Sequence, residues 1–237
     1  MTKEKNILTL DELSKKWGSD KHVHGFTNFY ESFFLKFKKA KKVCEIGIGG
    51  VMWQQGGQLP AASSRVWLDY FPSANVFIFD SFDEVSEEEV SIIENFLEEN
   101  KSRISLTVGD QSNRKDLESF VKTTKEGIDI LVDDGGHTME QQQVSLGFLF
   151  PYIKNGGIYV LEDLHTSLPG SRPRFGLKKD LTNSTLKMLE NFISDGKIIS
   201  EYMSEEEILY LNSNIEYCEI FKNPNRNSIT CIIGKNK

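Results

Sequence analysis

The chain has 237 residues, of which 38% are hydrophobic and 27% charged, and a formal net charge of −7. That length suits one α/β domain with a full core, and the acidic balance without a basic stripe argues against nucleic acid as the main partner. No apolar run reaches the roughly 20 residues that a membrane-spanning helix needs, and MTKEKNILTL at the start lacks the apolar core of a signal peptide, so no membrane partner is expected.

Thr9-Leu-Asp-Glu12 is a capping box, and Leu10, Leu13 and Trp17 follow at helical spacing until Gly18 can end the helix. The stretch GSDKHVHGFTNFYESFF, 18–34, is first polar, with Lys21, His22 and His24, and then aromatic. It reads either as a loop leading into an amphipathic helix over 28–39 or as a lid folding over a ligand. Val43–Gly50, VCEIGIGG, is a strand running into a glycine-rich turn where backbone N–H groups can approach a ligand. Its Glu45-x-Gly47-x-Gly49 spacing is not the dinucleotide fingerprint GxGxxG. Residues 54–64, rich in Gln, Gly, Ala and Ser, read as a loop, and 64–71 as a short helix closed by Pro72.

Asn75–Asp80 is the second strand, and an acidic residue at that strand end commonly accepts hydrogen bonds from ribose; a turn or cap role for Asp80 is the plainer alternative. Ser86-Glu-Glu-Glu89 opens a helix whose apolar face is Val90, Ile93, Phe96 and Leu97. After the third strand, 103–108, Asp110 and Gln111 stand at the same edge as Asp80 and are candidates for an adenine ring, while Asn113 caps a helix over 114–125.

Two stretches then repeat one plan. Ile128–His137, IDILVDDGGH, and Gly156–His165, GGIYVLEDLH, each run a short apolar strand into carboxylates and a histidine. If the strands are neighbours, Asp133, Asp134, Glu162 and Asp163 meet at the carboxyl edge of the sheet, where α/β proteins bind ligands. Carboxylates crowded there repel, and a divalent cation is the simplest remedy; oxygen donors suit Mg²⁺ or Ca²⁺ better than Zn²⁺. Thr138-Met-Glu-Gln141 caps a helix directly after His137, which puts that histidine at the rim. Pro169, Gly170 and Pro173 mark a covering loop. Helices over 181–193 and 204–211 precede strands 215–221 and 228–234, joined through Asn223-Pro224-Asn225. Cys44, Cys218 and Cys231 show no CxxC spacing and read as buried free thiols in a reducing cytoplasm.

Taken together, EIGIGG, the Asp80 strand end, GDQ and the acidic end of strand four resemble the class I S-adenosylmethionine-dependent methyltransferases. GSDKHVHGFTNFYESFF, WLDYFP, GDQSNR, DDGGH and LFPYIKNGGIYVLEDLHTS are similar, more narrowly, to metal-dependent O-methyltransferases that modify sugar hydroxyls in macrolide and related antibiotics. The likeness covers about residues 10–167 and, more loosely, the final hairpin; 168–214 matches nothing familiar and is where acceptor specificity is expected.

The resemblance implies an α/β, doubly wound, mostly parallel seven-stranded Rossmann-like sheet with an antiparallel last strand. It implies a single domain over 1–237, with 1–41 as an N-terminal helical or lid segment and 166–214 as a helical cover. It places Glu45, Gly47 and Gly49 around the methionine part of S-adenosylmethionine, Asp80 at its ribose, and Asp110 with Gln111 at its adenine. The metal, Mg²⁺ or another hard divalent cation, falls to Asp133, Glu162 and Asp163, with the choice between Asp133 and Asp134 left open. Where some relatives carry a second carboxylate as base, this chain has Gly135, so the base role passes to His137, with Asp134, His165 and His24 as alternatives.

The expected activity is metal-dependent methyl transfer from S-adenosylmethionine to an oxygen of a small polar acceptor, a sugar or sugar-nucleotide hydroxyl foremost. The competing readings are a metal-independent methyltransferase and a nicotinamide-dependent oxidoreductase on the same sheet. The expected setting is cytoplasmic, with a small-molecule partner and self-association into a homo-oligomer left open.

Overall fold

The computed structural model describes residues 8–49, 59–83, 85–125, 127–171 and 174–237. Gly50, Pro173 and residues 54–58 of the expected loop 54–64 lie outside these residues. Seven strands form one sheet in the order β3-β2-β1-β4-β5-β7-β6. They are β1 (Lys42–Ile46), β2 (Asn75–Asp80), β3 (Ile104–Val108), β4 (Ile128–Asp133), β5 (Ile153–Leu161), β6 (Ile215–Lys222) and β7 (Ile229–Lys235). The first five run parallel, and β7 enters antiparallel between β5 and β6. The strand order reverses between β1 and β4, which is where a doubly wound sheet opens a crevice at its carboxyl edge.

Eight helices cover the two faces among the described residues: α1 (Leu10–Trp17), α2 (Phe26–Phe34), α3 (Ala62–Tyr70), α4 (Glu87–Asn100), α5 (Arg114–Thr124), α6 (Met139–Leu149), α7 (Thr185–Asp195) and α8 (Glu205–Asn214). Strand side chains alternate between faces. Val43, Val76, Ile78, Ile130, Val132, Ile158 and Val160 pack under α1–α4, with Phe26, Tyr30, Phe34, Trp67 and Phe96. Cys44, Ile46, Leu131, Tyr159, Leu161, Cys231 and Ile233 pack under α5–α8, with Leu117, Phe120, Leu146 and Leu189. This parity decides which site residues reach the cleft.

The caps lie where the sequence places them. Thr9, Ser86 and Thr138 each complete a capping box, and Asn113 accepts from Lys115 N–H. Two boundaries differ. The helix expected over 28–39 starts at Phe26, after Gly25 in the left-handed region (φ 74°), and tightens into a 3-10 turn from Leu35. The helix expected from 181 starts at Thr185 under a Ser184 cap, because Leu181 itself is left-handed (φ 60°). No described helix is long and apolar enough to cross a membrane.

Candidate active site

A cleft of about 1040 Å³ opens along the carboxyl edge, from the β1–β3 ends to the β4 and β5 ends. At its first end Gly47 has φ 94°, and a Cβ there would sit 2.1 Å from the Asp134 carbonyl oxygen. Only glycine lets the β1 turn pass so close to the chain leaving β4. Asp80 accepts hydrogen bonds from Ile48 N–H (2.9 Å) and Phe82 N–H (2.6 Å), which ties its carboxylate to the cleft wall. Asp110 accepts from the Ser112 backbone N–H and hydroxyl, both at 2.8 Å, and also borders the cleft. Gln111 lines the floor with a fixed amide: Nε2 donates to Asp133 Oδ1 (2.9 Å) and Oε1 accepts from Gly136 N–H (2.8 Å). A Cβ at Gly135 would lie 2.0 Å from that Oε1, so this position has no room for a carboxylate.

Two expected site residues point elsewhere. Glu45 shares the parity of Val43 and turns under α3, where it accepts from Ser64 Oγ (2.7 Å) and Trp67 Nε1 (2.8 Å). It is fully buried and pins α3 to β1 rather than lining the cleft; burial pushes its pKa up, against Lys21 and its hydrogen-bond donors. Asp133 is the last residue of β4 and shares the parity of Leu131, so it points into the opposite layer. There it accepts from Tyr159 Oη (2.6 Å), Ser145 Oγ (2.5 Å) and Gln111 Nε2 (2.9 Å). With 1% exposure and three donors it is a structural anchor, which removes it from the expected metal set.

The charge cluster forms instead from the residue after it. Ligand atoms of Asp134, His137 and Asp163 all lie within 4.8 Å of one another. His137 Nε2 is 3.4 Å from Asp163 Oδ2 and 4.0 Å from Asp134 Oδ1. Both His137 (φ 59°) and Asp163 (φ 55°) are left-handed without being glycine, a strain that concentrates at functional sites. Thr166 Oγ1 donates to the His137 carbonyl (3.0 Å) and ties the two loops together. Glu162, buried beside them, faces the α1–α2 layer.

Between Asp134 Oδ2 (2.7 Å) and Glu162 Oε1 (2.8 Å) sits the ammonium of Lys21, delivered by a 3-10 turn at Asp20–His22. Burial pushes both carboxylates toward the protonated form and Lys21 opposes it; Asp163 adds to the upward push. His165 Nδ1 is 3.6 Å from Asp163 Oδ1, and burial lowers its pKa. His24 bonds Ser228 Oγ (2.6 Å) and pairs with Asp20 (3.3 Å), which raises its pKa.

The segment 18–34 therefore divides. Ser19, Asp20, Lys21 and His24 line the cleft, while Phe26, Tyr30 and Phe34 are core. From the cover segment Arg174 and Phe175 line the cleft. Lys21 as partner of the carboxylates was not legible in the sequence, because nothing local pairs position 21 with positions 134 and 162. The inward turn of Asp133 was legible, since it follows from strand parity.

The donor set fits a hard divalent cation. Asp134 and Asp163 offer carboxylate oxygens that converge beside His137, and Glu162 stands next to them.

No family model matches the chain. Demethylmacrocin O-methyltransferase of Streptomyces fradiae is 34% identical over 185 residues, 78% of this chain and 41% of that protein. 8-Demethyl-8-alpha-L-rhamnosyl tetracenomycin-C 2'-O-methyltransferase of Streptomyces olivaceus is 33% identical over 199 residues, 83% of this chain and 46% of that protein. The chain thus spans about half the length of the curated relatives it matches. Among solved structures, the MycE methyltransferase from the mycinamycin biosynthetic pathway, in complex with Mg, SAH and mycinamycin VI, superposes with a TM-score of 0.72 at 24% identity, covering 98% of this chain and 56% of that one. The O-methyltransferase TomG from Streptomyces achromogenes, in complex with SAM, gives 0.54 at 10% identity, covering 95% of this chain and 90% of that one. The chain carries the Rossmann-like methyltransferase fold and is a homologue of the sugar O-methyltransferases of macrolide and polyketide biosynthesis, over about half of their length.

Proposed function

We propose that this chain transfers a methyl group from S-adenosylmethionine to a hydroxyl of a small glycosylated acceptor, with a divalent cation as cofactor. The observation that carries the proposal is that one cleft joins Gly47, Asp80 and Asp110 at one end to Asp134, His137 and Asp163 at the other. The homologues named for O-methylation of glycosylated antibiotics supply the reaction class.

We assign Asp80 to the ribose hydroxyls and Asp110 to the adenine side; their positions at the β2 and β3 ends support this reading. The cation falls to Asp134 and Asp163, with Glu162 adjacent; when bound there, it supplies positive charge that eases ionisation of an acceptor hydroxyl. His137 is the group we assign to remove the hydroxyl proton: its Nε2 faces the same point as the two aspartates. His165 backs Asp163 from the other side. Arg174 and Phe175, from the cover segment, and His24, from the 18–25 turn, border the remaining space and would shape acceptor choice. Positioning of acceptor and methyl donor in one cleft would supply much of the rate. The described residues would act as one catalytic unit in a cytoplasmic setting on a small-molecule acceptor.

Calorimetry with S-adenosylhomocysteine tests the cofactor step. Binding that Asp80→Ala weakens supports the reading; binding of NADH with none of S-adenosylhomocysteine overturns it.

A further inference from the structure

Lys21 has no part in the proton transfer assigned above, yet it is only 2% exposed and touches two carboxylates of the cluster. A buried ammonium persists only when paired, so this contact is a structural commitment. The turn that delivers it is closed by His24 N–H donating to the Asp20 carbonyl (2.9 Å) and Gly25 N–H to the His22 carbonyl (3.2 Å). Asp134 divides its carboxylate, with Oδ2 on Lys21 and Oδ1 toward His137. Asp134, Glu162 and Asp163 carry three formal negative charges and Lys21 returns one, so the cluster stays anionic enough for a divalent ion. That ion would sit a few ångströms from an ammonium that claims the same oxygens, and like charges so close repel strongly where water is scarce.

We propose that Lys21 is a resident counter-ion that competes with the divalent cation for Asp134 and Glu162. Metal binding then draws those oxygens away from Lys21 and loosens the 19–25 turn on the cleft wall. Lys21 is a positioning residue in this scheme: it holds the Asp134 and Glu162 oxygens through its ion pairs, and it sets the metal affinity below what three carboxylates would give. The inference rests on the metal reading above and goes beyond it by making the 19–25 turn sensitive to metal.

Titration calorimetry with Mn²⁺ on the wild type and on Lys21→Met tests it. Lys21→Met should bind Mn²⁺ at least about tenfold more tightly than the wild type. Equal or weaker binding by the variant overturns the proposal. Hydrogen exchange on the wild type alone gives a second readout that needs no variant to fold: the His24 and Gly25 amides should exchange faster with Mn²⁺ present. Slower or unchanged exchange contradicts competition. No Mn²⁺ binding to either protein overturns the metal reading and this inference with it. Wild-type binding that Lys21→Met fails to improve overturns this inference alone.

Discussion

The two ends of the cleft are built on different principles. At the β1–β3 end the carboxylates are held by uncharged backbone donors: Asp80 accepts from the amides of Ile48 and Phe82, and Asp110 from that of Ser112. At the β4–β5 end the partners are charged or ionisable side chains, as Lys21 meets Asp134 and Glu162, and His137 meets Asp163. The second end holds excess negative charge, left-handed backbone at His137 and Asp163, and a buried lysine as counterweight. Neutral backbone donors thus fix the first end, and paired charges set the second.

Adjacent residues 133 and 134 give the largest expected contrast. Asp133→Ala leaves the Tyr159 and Ser145 hydroxyls and the Gln111 amide without their shared acceptor in a buried layer. A loss of about 3–5 kcal/mol in urea unfolding is expected. Asp134→Ala, at the cleft and with Glu162 still paired to Lys21, should lose less than about 2 kcal/mol while abolishing Mn²⁺ binding. Equal stability losses would break the distinction between an anchoring and a ligating aspartate.

Gly47→Ala comes next. It places a Cβ against the Asp134 carbonyl in a left-handed conformation, so about 2–4 kcal/mol of stability should be lost, seen as a lower thermal midpoint. Trp67→Phe sharpens the reading of Glu45. Removing the indole donor from a buried carboxylate should cost about 1–3 kcal/mol, while S-adenosylhomocysteine affinity changes less than about twofold. A large affinity loss without a stability loss would return Glu45 to the cofactor end.

The smallest effect concerns pH. The His24 pKa is raised first by its bond to Asp20 and further by the charges of Asp163 and Asp134, against desolvation. Its stabilising contribution is therefore fully present below about pH 6.5, the unfolded value, and fades as pH rises through the higher folded value. His24→Gln should lower the thermal midpoint at acid pH by under about 1 kcal/mol equivalent and converge with the wild type at alkaline pH. A gap that widens with rising pH contradicts this sign.

Much of the fold could be read from the chain because its signals are local. Capping boxes at Thr9, Ser86 and Thr138, short apolar strands, and the Asn223-Pro224-Asn225 connection all state their structure within a few residues. Boundaries slipped where one backbone angle decided them, as at Gly25 and Leu181. In the site, the β-strand ends of Asp80 and Glu162 were legible for the same local reason. Asp133 and Glu45 stand near strand ends like the other carboxylates, but the pleat's parity buries both away from the cleft. Lys21 was out of reach, since its partners lie more than a hundred residues away and only the packed α1–α2 layer brings it to them.

Chelation tests the central claim most directly. Transfer of a labelled methyl group from S-adenosylmethionine to glycosylated macrolides should vanish in EDTA, return with added Mg²⁺, and stay absent in Asp163→Ala under both conditions. Undiminished transfer in EDTA, with Asp163→Ala as active as the wild type, would contradict the account.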